Sequence, residues 1–194
     1  MNGRRARQEL KRKFMEWIVT EIDGKIASID AGYGRFARIA GEVAKLPPES
    51  VGRVSTRKIS TEELLEMDAS IRKEDLLLFG TDFQKKVWDA LFDLSHGGAK
   101  PKLYSYSEFA ELAGHPRSVR QVAHVVASNP IVYILPCHLI VPKETMDRAR
   151  EIYADAAKTL FKGSDIYLLD TIDVGEYAYG PDLKRAFIKR QLDR

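Results

Sequence analysis

The sequence contains very little cysteine. Cys137 is the one cysteine among 194 residues, so an intramolecular disulfide and a cysteine-based zinc cluster are both excluded. The four histidines are scattered without metal-ligand spacing, and no glycine-rich phosphate loop is present. We therefore expect neither a metal nor another cofactor. Such cysteine usage fits a reducing, intracellular compartment, and we expect a cytoplasmic protein.

Long apolar runs are also lacking. Runs such as Ile131–Leu135 fall far short of the roughly 20 apolar residues that a membrane-spanning helix needs. The opening residues mix charges and do not resemble a secretory leader, so we expect neither a membrane protein nor a secreted one. The net charge of +3 is too small to indicate a polyanionic partner by itself. Any nucleic-acid-binding surface must therefore be local.

The N-terminal part has a helical periodicity. Apolar residues at four-residue spacing predict a helix over residues 4–28, and a second helix is predicted over 32–46. Residues 47–60 are rich in Pro, Ser, Gly and Thr and predict an extended connector. We expect a helical N-terminal region over 1–75 and a second domain over 76–194.

Two capping boxes organise the second domain. Thr81 with Gln84, and Ser105 with Glu108, each pair a hydroxyl with a side chain that reaches back to the cap, which predicts helix starts at both places. A turn at Gly114 then leads into another helix, predicted to begin at Pro116. Two short helices with such a turn are typical of a helix-turn-helix, although any helical hairpin gives the same pattern.

The second of these helices carries polar residues on its outward side. A small serine lets a helix approach a groove closely, and an arginine can take the place of a displaced base. Solvated surface charges are the alternative explanation. The outward residues are Arg117, Ser118, Arg120 and Gln121.

Residues 80–141 resemble the C-terminal domain of the O6-alkylguanine-DNA alkyltransferase family. Ile131–Leu135 predicts a buried strand that leads directly into Pro136-Cys137-His138. The matching segments are Gly80–Gln84 with Val87-Trp88, Ser105-Tyr106, Val119–Val122, Asn129-Pro130 and Pro136–His138. The implied fold is α+β and mostly helical, with a C-terminal helix-turn-helix (winged-helix-like) alkyltransferase domain after the helical N-terminal region.

The resemblance implies a role for each matched position. Cys137 would be the nucleophile that takes the alkyl group from O6 of guanine, since a thiolate attacks alkyl carbon well. His138 would accept the thiol proton, Asn129 would hold the turn, and Gln191 stands where the family has a relay glutamate. Without the family, Cys137 alone is more commonly an inert core thiol.

The resemblance also implies a DNA surface and a pocket. Arg120 would fill the gap left by the flipped nucleotide, and Tyr106 would press on the phosphate. The remaining DNA contacts would come from the outward polar residues named above. The pocket would be lined by Tyr106, Pro136, Tyr177, Ala178 and Tyr179.

The sequence departs from the family at several positions. Leu139 replaces the usual arginine, and Tyr179 adds a ring at the pocket rim, which favours methyl over benzyl. Gln191 can orient a histidine but cannot stabilise its charged form as a carboxylate does. An insertion of about thirty residues, at 142–174, contains an amphipathic helix predicted over Met146–Leu160.

Three functions are consistent with this pattern. The first is a DNA repair protein, a methylated-DNA–protein-cysteine methyltransferase, which moves a methyl group irreversibly from duplex DNA containing O6-alkylguanine to Cys137. The second is a lesion sensor on the same fold that binds DNA and transfers nothing. The third is a protein-interaction module. We expect the first, acting as a monomer.

Overall fold

The structure, a computed structural model, describes residues 15–32, 40–44, 52–158, 169–170 and 172–193. It is a mixed α/β fold in which about half of the described residues are helical. The strands are β1 Trp17–Ile22, β2 Lys25–Asp30, β3 Val54–Ile59, β4 Tyr104–Ser105 and β5 Ile140–Val141. The helices are α1 Thr61–Ser70, α2 Asp82–His96, α3 Tyr106–Leu112, α4 Val119–Ala127, α5 Lys143–Lys158 and α6 Pro181–Leu192, with 3₁₀ turns at Lys73–Asp75 and Cys137–Leu139. None of the described helices is long and apolar enough to cross a membrane.

The chain divides into two compact units. Unit 1 holds the described residues up to Lys85 together with Asn129–Leu135, and unit 2 holds Lys86–Ser128 with the described residues from Pro136 onward. The domains predicted from the sequence, over 1–75 and 76–194, remain a prediction, because compactness does not test independent folding.

A three-stranded antiparallel sheet forms the centre of unit 1, with β1 between β2 and β3. The turn between β1 and β2 is Asp23-Gly24, and both residues have positive φ, 51° and 77°. Such a two-residue turn matches the twist of a β-hairpin. The predicted N-terminal helix is therefore wrong from Trp17 to Ser28, whereas its residues 4–14 lie outside the described part.

The four-residue apolar spacing was misleading because β1 is buried on both faces. Trp17 to Thr20 are all buried, so the alternation that marks a half-exposed strand does not occur. The aromatic and β-branched residues of this segment favour a strand over a helix. A second helix was predicted over 32–46. Of this segment the structure describes residues 32, 40–43 and 44, and residues 40–43 are helical.

Two further predictions for unit 1 need correction. The connector over 47–60 contains an edge strand, β3, whose Arg57 forms an ion pair with Glu21 on β1. The run Ile131–Leu135 is fully buried as predicted, but it folds into a turn instead of a regular strand. The backbone N–H of Ile29 donates to the carbonyl of Pro130 at 3.0 Å, and Leu135 N–H donates to Ile131 O at 3.0 Å.

Both predicted capping boxes are confirmed. Gln84 N–H donates to Thr81 Oγ1 at 3.2 Å while Thr81 N–H donates to Gln84 Oε1 at 2.9 Å. The same reciprocal pattern joins Ser105 and Glu108 at the start of α3. Within unit 2, the buried indole of Trp88 on α2 donates to the carbonyl of Val125 on α4 at 3.1 Å.

Helices α3 and α4 pack against each other across the turn that contains Gly114. The second helix begins at Val119, after the cap Ser118, and not at Pro116. Arg117 and Ser118 therefore lie in the turn before α4. A helix-turn-helix crossing remains a prediction.

In the C-terminal part of the chain, the observed helices lie close to where the sequence predicts them. Pro181 is in the first turn of α6, as predicted. The insertion helix begins three residues earlier than predicted, at Lys143, and its described part ends at Lys158. Arg150 on this helix forms an ion pair with Glu108 of α3, which attaches the insertion to unit 2.

Trp17 tests the corrected N-terminal fold. Its side chain is fully buried and its indole N–H donates to Thr61 Oγ1 at 3.1 Å. Trp17→Ala should lower the free energy of unfolding by about 3–5 kcal/mol, because it leaves a large cavity. Val54→Ala, on the exposed part of β3, is the control and should change it by less than about 0.5 kcal/mol. Urea denaturation measures both, and equal losses would contradict the sheet.

Candidate active site

Cys137 begins a short 3₁₀ turn between Pro136 and β5. Pro136, His138 and Leu139 are buried, whereas Cys137 is half-buried. β5 follows at once and pairs in parallel with β4, so the turn is held on its C-terminal side. The cysteine is thus the accessible residue of an otherwise buried turn.

Helix α6 packs against this turn. Lys184, Phe187, Ile188 and Gln191 lie at helical positions i, i+3, i+4 and i+7, and all four are buried. The rings of His138 and Phe187 have centroids 5.5 Å apart. The last helix therefore presents one face, which is not purely apolar, to the cysteine turn.

The loop before α6 brings the predicted pocket residues to the same place. Tyr177 makes edge-on ring contacts with Tyr179 and Phe187, with centroids 5.7 and 6.5 Å apart. Gly175 lets this loop approach closely, because a Cβ there would lie 2.8 Å from the Pro142 ring. Tyr177 and Tyr179 are half-buried, whereas Ala178 is exposed.

Two ionisable side chains interact with Cys137 electrostatically. Burial, together with the negative charges of Cys137 and Glu176, raises the pKa of Tyr106. Burial lowers the pKa of Lys184 to about 8, while Cys137 and Asp173 act in the opposite direction.

Asn129 closes the loop that precedes Pro136. Its side chain is buried, donates through Nδ2 to Leu135 O at 2.7 Å and accepts at Oδ1 from Ile131 N–H at 2.9 Å. These bonds enclose Tyr133, which is fully buried with a φ of 72°, a conformation rare for a bulky side chain. The turn-holding role predicted for Asn129 is consistent with these contacts and remains a prediction.

Gln191 lies on α6 without engaging the histidine. Neither polar atom of its buried side chain has a hydrogen-bond partner within the described part of the chain, so it is not bonded to His138 in this structure. In the family that this chain resembles, a glutamate on the last helix assists the histidine in proton transfer. Asp193 does not take its place, because it is exposed just after α6.

The predicted DNA-contacting residues are mostly exposed. Arg117, Arg120 and Gln121 are exposed and Ser118 is half-buried. Arg120 and Gln121 lie in the first turn of α4, whereas Arg117 and Ser118 precede it. Tyr106, at the start of α3, is the predicted DNA contact whose pKa the charge of Cys137 helps to raise.

Sequence reasoning missed Lys184 as part of the site. The available signal was its position: a lysine three residues before Phe187 and seven before Gln191 shares their helix face. Among the described residues, no cluster of three His, Cys, Asp or Glu side chains could hold a metal ion.

The comparisons with known proteins match the part of the chain that contains the cysteine turn. Residues 82–160 match the family model for the DNA-binding domain of 6-O-methylguanine DNA methyltransferase. The chain is 42% identical over 69 residues to a probable methylated-DNA–protein-cysteine methyltransferase of Acanthamoeba polyphaga mimivirus, covering 36% of this chain and 44% of the relative. It is 34% identical over 100 residues to the methylated-DNA–protein-cysteine methyltransferase of Mycobacterium leprae, covering 48% and 58%.

A solved structure has the same fold. The O6-methylguanine-DNA methyltransferase of the archaeon Pyrococcus kodakaraensis aligns over 91% of both chains, with a TM-score of 0.50 and 20% identity. At this identity the likeness concerns the fold alone.

The family resemblance is therefore confirmed over residues 82–160, which are similar to the DNA-binding domain of 6-O-methylguanine DNA methyltransferase. More particularly, its curated relatives are methylated-DNA–protein-cysteine methyltransferases. The chain spans 32–58% of the length of the first of these relatives.

Asn129 provides a test of how the loop before the cysteine is held. Asn129→Ala should lower the free energy of unfolding by about 2–4 kcal/mol, because a buried N–H and a buried carbonyl lose their partners. Ser128→Ala removes a half-buried hydroxyl that donates to Val125 O, and should cost about 1 kcal/mol or less. If Asn129→Ala lowers the free energy of unfolding no more than Ser128→Ala does, the loop does not depend on the Asn129 side chain.

Proposed function

We propose that this protein repairs DNA by moving a methyl group from O6 of guanine in duplex DNA to Cys137, irreversibly and once per molecule. The observation that carries the proposal is the half-buried Cys137 on a turn whose other residues are buried and against which α6 packs. The names of the relatives support the same reaction.

The transfer needs no cofactor. The Cys137 S–H bond breaks, and His138 or water takes the proton. The thiolate then attacks the methyl carbon, a C–S bond forms as the C–O6 bond breaks, and the guanine anion takes up a proton. The sum is a thioether and an unmodified guanine, and the thioether cannot return to a thiol by the same route.

The base has to leave the helix stack to reach this sulfur. Base flipping is favoured when a side chain fills the space left behind. Arg120 is exposed and has no carboxylate partner among the described residues, so its side chain is available for this role. Tyr177 and Tyr179 narrow the pocket, which favours a methyl group over a benzyl group.

The remaining expectations belong to the same proposal. The protein acts on O6-alkylguanine in duplex DNA as a monomer in a reducing, cytoplasmic environment. Contacts to phosphates make its binding strongly dependent on salt and weakly dependent on sequence.

The decisive measurement is the intact mass of the protein after incubation with a short duplex that carries O6-methylguanine. We expect a stoichiometric gain of one methyl group, and none for Cys137→Ser. If wild type gains no mass while the duplex still shifts in a gel, the protein is a lesion sensor on this fold. The burial of Gln191 without a bond to His138 is the observation that favours this second candidate.

Arg120→Ala separates base flipping from chemistry. We expect transfer from duplex DNA to slow by about tenfold or more, equivalent to about 1.4 kcal/mol, with little change for the free O6-methylguanine base. Arg190→Ala removes an exposed arginine on α6 and is the matched charge control. Single-turnover rates with both substrates measure the effect, and equal slowing on both would remove the flipping role from Arg120.

A further inference from the structure

A hydrogen bond joins the two ends of the insertion. Thr145, in the first turn of α5, donates through Oγ1 to the carbonyl oxygen of Asp173 at 2.5 Å. The Thr145 side chain is 4% exposed, so water competes little for its hydroxyl. Thr145 lies shortly after the cysteine turn in the sequence, and Asp173 lies just before the loop 175–180 that leads into α6. The bond therefore ties the segment that follows the cysteine turn to the start of this loop.

Asp173 extends this attachment to the first residue of the loop. Its carboxylate Oδ1 accepts the backbone N–H of Gly175 at 2.9 Å. Val174, between them, is fully buried in the core of unit 2. Gly175 has a φ of 75°, and a Cβ at this position would lie 2.8 Å from the ring of Pro142. The loop therefore begins in close contact with Pro142, the residue between β5 and α5.

Helix α6 holds the same segment from another side. The guanidinium of Arg185 donates to the carbonyl oxygens of Leu169 and Ile172, both at 3.0 Å. This contact fixes the segment relative to α6. The Thr145 bond fixes it relative to the residues that continue from the cysteine turn, so the two contacts are not interchangeable.

The loop reaches the cysteine turn through a series of ring contacts. The ring of Tyr177 lies 6.5 Å from that of Phe187, and the Phe187 ring lies 5.5 Å from that of His138, measured between centroids. His138 follows the half-buried Cys137 directly. A shift at the start of the loop would move Tyr177 and so change the space beside the cysteine.

We propose that Thr145 is a positioning residue that limits the size of the group able to reach Cys137. Its hydroxyl holds the loop 175–180 close to Pro142, and the rings of Tyr177 and Tyr179 then restrict access to small alkyl groups. This deepens the proposed function, on which the identity of the alkyl donor rests. Thr145 contacts no reacting atom and acts through the loop.

The test compares a small and a bulky reagent on the same sulfur. Iodoacetamide and N-benzyliodoacetamide both react with the thiolate, whose electron pair forms the C–S bond as the C–I bond breaks and iodide leaves. Cys137 is the one cysteine of the chain, so the intact mass of the protein reports its modification. The ratio of the two rates cancels any change in the fraction of thiolate, and it therefore measures access to the sulfur.

Two variants at position 145 separate the hydroxyl from its packing. Thr145→Val keeps the volume and removes the hydroxyl. We expect its ratio of benzyl reagent to iodoacetamide to rise by about three- to tenfold, because the loss of one buried hydrogen bond releases the loop. Thr145→Ser loses a methyl group but keeps the hydroxyl, and it should keep the wild-type ratio. Lys143→Met breaks an exposed ion pair with Asp147 in the same helical turn and should also keep it.

A second pair of variants tests the same attachment at an exposed residue. Asp173→Ala removes the acceptor of the Gly175 N–H, and its exposed position leaves the core unchanged. We expect the ratio to rise by about twofold or more. Asp173→Asn retains an oxygen acceptor at this position and should keep the wild-type ratio. If Thr145→Val does not fold, this pair decides the inference, and an unchanged ratio in Asp173→Ala overturns it.

Failure of this inference is distinguishable from failure of the proposed function, because both reagents act without DNA. An unchanged ratio in Thr145→Val overturns the inference, even if wild type takes up methyl groups from DNA. An equal rise in Thr145→Val and Thr145→Ser would assign the effect to packing and would also overturn it. A rise in the valine variant without one in the serine variant supports the inference, even if wild type takes up no methyl group.

Discussion

The packing of helix α6 against the turn Cys137–Leu139 is the contact on which the rest of the site depends. His138 and Leu139 are fully buried, and Phe187 on α6 stacks at an angle on the His138 ring. Because these two residues are held in the core, the residue before them must lie at its edge. The cysteine is therefore the half-buried residue of a turn whose other residues are buried.

The parts of the fold that were predictable from the sequence are those in which a local rule acts on its own. A capping box needs only two side chains and the backbone between them, so the helix starts at Thr81 and Ser105 follow from four residues each. The proline in the first turn of α6 is of the same kind. The Pro-Cys-His segment was identifiable through the family resemblance of residues 80–141, but its burial on both sides of the cysteine was not predicted.

The N-terminal hairpin was missed for a physical reason. A strand buried on both faces loses its alternation, and spaced apolar residues then imitate a helix. The Asp23-Gly24 turn was the local signal that distinguished the two, since both residues adopt positive φ. Lys184 was missed because its burial depends on how α6 packs against a turn more than 40 residues earlier in the chain, and no local rule reports such packing.

The insertion is tied into unit 2 by polar contacts at two places. Arg150 on α5 binds the carboxylate of Glu108, which also caps α3 and whose pKa is lowered chiefly by the backbone N–H of Ser105. Thr145 donates to the carbonyl of Asp173, just before the loop of Gly175. The insertion helix thus contacts both the start of α3 and the loop over the cysteine. The insertion helix therefore contacts the two segments that carry Tyr106 and Tyr177.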